Sequence, residues 1–377
     1  MSIVNLSTPT VLVDRQILSY NIIRLQRRAD QFNVEVRPHV KTHKSVSIAK
    51  MQMENGAQGI TVAKASEALV FIDAGIPSVT VAYPIIDGQK ADLLFKLASE
   101  KFCELRLTID SIEGFEVLRK AAQKFQKTVT VYIEIDTGLR RCGLNPNDPL
   151  IVDLAHRIQA QTFLIFKGIC SHAGHSYAAI DRQQVKRIAE EELQQLRLAK
   201  RMLRLNSIDR IDVIAVGATP TVLAVDSFAG VNEIRPGNYV FMDRTPLRLD
   251  LIKKKRISLT VLATVISVNE HYYIIDAGSK ILSSDRGAHG VLGMEGYGLV
   301  YPLQNYRVKK KKMLLTQLSE EHGFVRRRTG VELKIGDKVR LIPNHACAVM
   351  NLVDEFYIVQ GADVIERLPV DARGTIQ

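Results

Sequence analysis

Eight short runs of apolar and β-branched residues punctuate the first two thirds of the chain: Val34–Val40, Gly59–Ala63, Ser78–Ala82, Leu105–Ile109, Val129–Ile135, Leu164–Cys170, Ile211–Val216 and Glu233–Arg235. Segments of helical period separate most of them. Asp14 reads as an N-cap, and Leu18, Ile22, Leu25, Ala29 and Phe32 then mark one helical face. Asp110 and Ser111 stand just before Phe115, Leu118 and Ala122. Residues 183–205 form a long amphipathic stretch of Glu, Gln, Arg and Leu. Strands alternating with helices argue for a parallel sheet, and eight repeats predict an α/β fold of the (β/α)8 TIM-barrel type. An open doubly wound sheet is the alternative, weakened by the missing Gly-rich fingerprint after the first strand.

The texture changes after about Thr245. Ile257–Val268, Tyr272–Ile275, Gly298–Leu303, Lys338–Ile342 and Glu355–Gln360 are strand-like. Turn signals separate them: Asp276-Ala277-Gly278, Ile335-Gly336-Asp337 and Gly361-Ala362-Asp363. With no convincing amphipathic helix here, the expectation is a second, mostly β domain. The chain then divides into a barrel over residues 8–245 and a β domain over 246–377, with residues 1–7 expected to pack on the latter.

Composition removes several classes. With 46% hydrophobic residues, disorder is not the dominant state. No run of about 18 apolar residues lacks a charge, so no membrane span is expected. The N-terminus has no basic segment followed by an apolar core, which argues against a secretory signal. Cys103, Cys142, Cys170 and Cys347 are scattered without a CxxC pair, which points to a reducing cytoplasm. The net charge of +11 owes much to Lys253–Arg256, Lys309–Lys312 and Arg326–Arg328. Such runs serve nucleic acid or anionic membranes, or they are solvated loops. No aromatic residues interleave with them as a stacking platform needs, so neither nucleic acid nor membrane is expected as a partner.

A barrel carries its chemistry at the C-terminal ends of its strands. The first proposed strand ends in residues 37–44 (RPHVKTHK), the fifth in 136–143 (DTGLRRCG) and the sixth in 171–177 (SHAGHSY). The seventh ends in 217–221 (GATPT) and the eighth in 235–239 (RPGNY). Polar, cationic and Gly-rich segments thus share one rim, as a site for a phosphorylated ligand requires, because free N–H groups in Gly-containing turns bind phosphate oxygens. A lysine at a strand end near other cations has a lowered pKa and serves as an amine nucleophile toward an aldehyde. A small-molecule aldehyde with a phosphate is pyridoxal 5'-phosphate, an electron sink for carbanions. The competing reading is a surface lysine in a polar turn.

These segments resemble the fold-type III pyridoxal phosphate enzymes, and more narrowly the D-threonine aldolase / D-serine dehydratase family with its alanine racemase-like N-terminal domain. The likeness runs from about Thr8 to Gly374. It is carried by Thr8-Pro9-Thr10 with Val13-Asp14, the 37–44 segment, Ala82-Tyr83-Pro84, Ile135-Asp136-Thr137-Gly138 and Arg235-Pro236-Gly237-Asn238-Tyr239. Asp276–Lys280, Ser319–Gly323 and Pro343-Asn344-His345-Ala346-Cys347 match it too. The resemblance implies that Lys41 forms the Schiff base, with Lys44 as the competing lysine. It implies that Arg141 lies near the cofactor phenolate oxygen, that Thr219 and the N–H groups of Gly237 and Asn238 hold the phosphate, and that Arg235 stands at the pyridine nitrogen. His172, His175 and Tyr177 are candidates for substrate or cofactor contacts. A homodimer, with the site near the domain and subunit boundary, is also implied.

His345 and Cys347 are two residues apart. On a strand they would share one face and one ion, and two protein ligands leave coordination positions open for catalysis. Thiolate with imidazole favours zinc, with manganese as the alternative. Without the resemblance, a structural histidine beside a buried cysteine is the plainer reading; with it, a divalent metal is favoured. A metal near a substrate β-hydroxyl permits two outcomes. One is β-elimination to a 2-oxo acid and ammonia, with released Lys41 as base. The other is a retro-aldol cleavage to glycine and an aldehyde. The cysteine resembles the dehydratase branch, so a D-serine dehydratase-like lyase of β-hydroxy D-amino acids is expected, with D-threonine aldolase as the alternative. A racemase lacks an identifiable second base. A non-catalytic pyridoxal phosphate carrier is the non-enzyme alternative, and it would lack the β domain.

Overall fold

The computed structural model describes residues 1–287, 294–306 and 311–377, apart from the Asn305 side chain. Lys309 and Lys310 of the second basic run lie outside the described residues.

Strand β1 (Thr10–Asp14) opens the chain, and Asp14 caps the helix Arg15–Gln31 by accepting from the Ile17 N–H at 3.0 Å. Eight strands follow: β2 (Glu35–Val36), β3 (Ile60–Val62), β4 (Ser78–Val81), β5 (Glu104–Ile109), β6 (Val129–Glu134), β7 (Leu164–Cys170), β8 (Val213–Val216) and β9 (Glu233–Ile234). Each falls within or beside an expected run. All neighbours pair in parallel, in the order β2-β9-β8-β7-β6-β5-β4-β3. A bridge between His39 and Thr61 closes the ring. Helices cover the outside, so most strands are apolar on both faces, and the expected α/β barrel follows from that pattern.

The floor of the barrel is not apolar. Glu233 is fully buried and accepts from Arg106 Nη1 at 3.3 Å and the Tyr132 hydroxyl at 3.2 Å. Arg37 Nε lies 3.3 Å from it and Arg235 Nε 3.7 Å. Gly59 makes room for this cluster: its φ is +154°, and a Cβ there would come 2.2 Å from Arg37 Nη1. Removing the shared carboxylate leaves buried Arg235 with no carboxylate within 4.0 Å among the described residues and takes one partner from Arg37 and Arg106, which keep Glu104. Glu233→Ala is therefore expected to cost about 3–5 kcal/mol in urea unfolding; a loss below about 1 kcal/mol would mean water replaces the carboxylate.

The second sheet holds β10 (Leu259–Val268), β11 (Tyr272–Ile275), β12 (Gly298–Pro302), β13 (Met313–Leu318), β14 (Gly323–Arg326), β15 (Lys338–Pro343), β16 (Glu355–Gln360) and β17 (Asp363–Pro369). Its order is β11-β14-β13-β12-β15-β10-β1-β16-β17, and β11 also pairs with β10, which closes six antiparallel strands into a small barrel. The long strand β10 achieves this with a register shift between Val265 and Ser267, so one end pairs with β1 and β15 and the other with β11. Strand β1 joins this sheet, antiparallel to β10 and parallel to β16, although the sequence reading began the first unit at residue 8. Ile3 and Leu6 are buried with Leu12, Leu262 and Val359. Among the described residues, no helix is long and apolar enough to cross a membrane.

The basic runs are dispersed. Lys253 pairs with Asp250, and Lys254 lies over the rings of Tyr301 and Tyr306. Arg326 pairs with Glu295, while Arg327 and Arg328 donate to the carbonyls of Asn269 and Lys312.

Candidate active site

The chain leaves β2 through Arg37-Pro38-His39 and makes one short helical turn, Val40–Thr42. Lys41 is on that turn, half-buried at the barrel rim. A cavity of about 300 Å³ opens beneath it, lined among others by His39, Lys41, Glu134, Arg141, His172 and Arg235. That volume suits a small organic ligand. Burial, then the charge of Arg141, lowers the Lys41 pKa against the opposing pull of Cys347, Glu67 and Glu134. Burial, with Lys41, His172, Arg235 and Arg141 beside it, holds His39 well below its ordinary value, so its imidazole is neutral. Lys44 points elsewhere: its Nζ donates to the carbonyls of Ala372 and Thr375, each at 3.2 Å.

The glycine-rich loops close the far wall. Gly237 packs against the Lys41 turn so tightly that a Cβ would meet Thr42 Oγ1 at 2.6 Å and the His39 carbonyl at 2.8 Å. The N–H groups of Gly237 and Asn238 precede or open the turn Asn238–Val240, where no intrahelical acceptor exists. Thr219 opens the helix Thr219–Ala224 in the same manner. Arg141 Nη2 is 3.9 Å from Glu134 Oε1. His172 Nδ1 contacts the Gly217 carbonyl. Tyr177 is buried against Ala218 and Met294, beside rather than within the cavity, and burial raises its pKa. His175 stands over Gly138 instead of facing the cavity lining.

Glu192 supports this rim from behind. It is buried on the helix Arg182–Leu205 and accepts from Ser171 Oγ at 2.7 Å and the Ala173 N–H at 3.2 Å. Burial raises its pKa to about 7. The folded state then keeps a proton that the unfolded chain releases above about pH 4.5, so this group's stability contribution falls as pH rises toward 7. Glu192→Gln is expected to flatten stability between pH 5 and 7 in denaturant titrations; an unchanged slope would contradict a neutral buried carboxyl.

The metal-donor geometry differs from expectation. His345 and Cys347 do not share a strand face. Strand β15 ends at Pro343, His345 caps the helix Ala346–Asn351, and Cys347 lies in its first turn. Extended backbone at His345 (φ −141°) followed by helix brings the two residues near enough for Cys347 to act on the His345 charge. Burial would lower the His345 pKa, but Cys347 and a 2.7 Å contact from Nδ1 to Asp285 Oδ2 outweigh it and hold it well above the ordinary value. Cys347 Sγ is 3.3 Å from Thr42 Oγ1, the residue after Lys41. Among the described residues, no cluster of three or more His, Cys, Asp or Glu side chains gathers for a metal.

Asp243 ties these parts together. It is buried, accepts from Asn238 Nδ2 at 2.8 Å and the Thr245 N–H at 3.0 Å, and takes the Ala346 N–H, between His345 and Cys347, at 3.0 Å. The sequence reading missed it, although Asp243 before Thr245-Pro246 has the form of a helix cap. Asp285 and Thr42 were also missed, and their partners are 60 and 305 residues away.

The arrangement fits a phosphorylated aldehyde and a divalent ion. Buried Asn238 Oδ1 and His39 Nδ1 have no hydrogen-bond partner among the described residues, and a soft-plus-imidazole donor pair stands against Thr42, next to Lys41. A parallel barrel with a lysine rim and a capping antiparallel β domain defines the alanine racemase-like class of proteins. Residues 13–245 match the family "Alanine racemase, N-terminal domain", and residues 258–359 match the "Putative serine dehydratase domain". The chain belongs to this family, the fold-type III pyridoxal phosphate lyases of β-hydroxy D-amino acids.

It is 33% identical to D-threo-3-hydroxyaspartate dehydratase of Delftia sp. (strain HT23), over 92% of each chain. It is 31% identical to D-serine dehydratase of Dictyostelium discoideum, over 96% of this chain and 95% of that one. D-threonine aldolase from Filomicrobium marinum superposes with a TM-score of 0.89 at 27% identity, covering 100% of this chain and 98% of that one. One solved D-threo-3-hydroxyaspartate dehydratase is a cysteine-to-alanine variant in the metal-free form.

Proposed function

We propose that the protein is a pyridoxal phosphate- and divalent metal-dependent lyase that converts a β-hydroxy D-amino acid to a 2-oxo acid and ammonia. One observation carries this reading: the 3.3 Å contact between Cys347 Sγ and Thr42 Oγ1 sets the candidate metal donors beside the candidate cofactor lysine. Lys41 would hold the cofactor, with Thr219, Gly237 and Asn238 at its phosphate, Arg141 at its phenolate oxygen and Arg235 at its ring nitrogen. When bound, pyridoxal phosphate supplies an electron sink for negative charge at Cα. His345 and Cys347 would hold zinc, where Lewis-acid polarisation of a β-hydroxyl is the chemistry supplied.

The remaining work falls to the chain. Lys41 Nζ, with its lowered pKa, is the base for the α-proton once the substrate amine has replaced it. His39, neutral and buried beside it, adds no charge to compete. His172 and Tyr177 border the substrate side. The protein acts in the cytoplasm as a homodimer, with the boundary between its units at 245/246 and β1 completing the second unit.

The thiolate donor and the dehydratase names of the two sequence relatives support elimination. Retro-aldol cleavage is the second reading, because an aldolase superposes on this chain as well as a dehydratase does, each with a TM-score of 0.89. Product analysis with D-threonine separates them: 2-oxobutanoate is expected, whereas glycine with acetaldehyde would replace elimination by carbon–carbon cleavage. No turnover of any β-hydroxy D-amino acid by metal-loaded protein would favour a carrier.

A further inference from the structure

Behind the 235–239 loop, on the outer wall of the barrel, a second cavity of about 330 Å³ opens. It lies between the helix Arg15–Gln31, the start of the helix Arg182–Leu205 and the segment after Ala224. Four guanidinium groups line it, those of Arg24, Arg28, Arg182 and Arg256, with one carboxylate, Asp226, already paired to Lys186. None of the four arginines has a carboxylate within 4.0 Å among the described residues.

Two of the arginines are held in place. Arg28 donates to the carbonyls of Val222 at 2.7 Å and of Val225. Arg256 donates to Asn21 Oδ1 at 3.0 Å and lies over the Tyr20 ring. Burial, against the opposing pull of Asp226 and with the neighbouring Arg24 and Arg182 charges, lowers the Arg28 pKa, and burial with Arg24 does the same to Arg256. Such fixed, mutually repelling cations are stabilised by an anion that accepts from several of them at once. Arginine forks suit tetrahedral phosphate oxygens better than a point cation does.

We propose that this cavity is a second anion site, one that takes the phosphate group of a small ligand and is separate from the cofactor site. Arg24 and Arg182 are its exposed gate, while Arg28 and Arg256 form its fixed base. The apolar wall of Leu25, Leu223 and Leu251 leaves room for an organic moiety beside the phosphate. Arg256 ends the run 253–256, so part of the chain's excess charge has a local use. The back wall is Tyr239, whose hydroxyl accepts from Gln52 at 2.9 Å; Gln52 in turn contacts the His43 ring at 3.2 Å. The site therefore borders the rear of the loop that carries Gly237 and Asn238.

The test is calorimetric titration of the full chain, saturated with pyridoxal phosphate, using inorganic pyrophosphate at about 0.05 M and about 0.5 M salt. Saturable binding to one site, weakened by salt, is expected. The double variant Arg24→Glu, Arg182→Glu should lose at least about tenfold in affinity while keeping its melting temperature. Lys255→Glu, an exposed charge change outside the cavity, should bind as the wild type does. No saturable binding, unchanged affinity in the double variant, or an equal loss in Lys255→Glu would each overturn the proposal. None of these outcomes depends on the lyase reaction, so the two readings fail separately.

Discussion

Lys41→Ala is expected to abolish the visible absorption of the purified protein and to lower turnover by at least about 10³-fold. The amine has two duties in the proposed reaction, holding the aldehyde and taking the α-proton, and no neighbour replaces it. Lys64 lines the same cavity, but its Nζ rests on the Tyr83 ring, 3.9 Å from the centroid. Lys44 is held by the carbonyls of Ala372 and Thr375. The chain has no Trp, so a cofactor band stands out. A variant with wild-type absorption and turnover would remove Lys41 from the site.

Exhaustive chelation and His345→Ala are each expected to lower turnover by about 10²–10⁴-fold while leaving the absorption band in place. The split between the two readouts follows from geometry. The cavity residues Lys41, Arg141 and Arg235 come from the barrel strand ends, whereas His345 and Cys347 come from the β domain, where Cys347 touches Thr42 and Asp243 links Ala346 to Asn238. Removing the donors should spare cofactor binding and withdraw polarisation of the leaving group. Full activity after chelation, with metal content confirmed below one ion per hundred chains (about 1%) by elemental analysis, would refute the metal-dependent mechanism.

Much of the barrel was legible because parallel strands covered on both sides write themselves as apolar runs. All eight runs became strands, and Asp14 and Ser111 cap helices as expected. Phe32, read as part of the helix face, instead stands at the helix end, 38% exposed and edge-on to Phe228. The β domain was less legible. Strand β17 lies at the sheet edge with mostly exposed side chains, so it carries no alternation to read. Strand β14 runs straight into the Arg326–Arg328 cluster, and β1 pairs with a sheet formed some 250 residues later. The His345–Cys347 pair was found for a reason the backbone does not support, since a helix cap rather than a strand face brings them together. Asp285 reaches His345, and Asp243 reaches Ala346, through contacts that only the fold creates.

The most direct measurement is reductive trapping. Borohydride reduction of the holoprotein, followed by digestion and mass spectrometry, is expected to place the pyridoxyl group on Lys41 alone. The group found on Lys44 or Lys64 instead, or no modified peptide from a protein that still turns over D-amino acids, would contradict the central assignment.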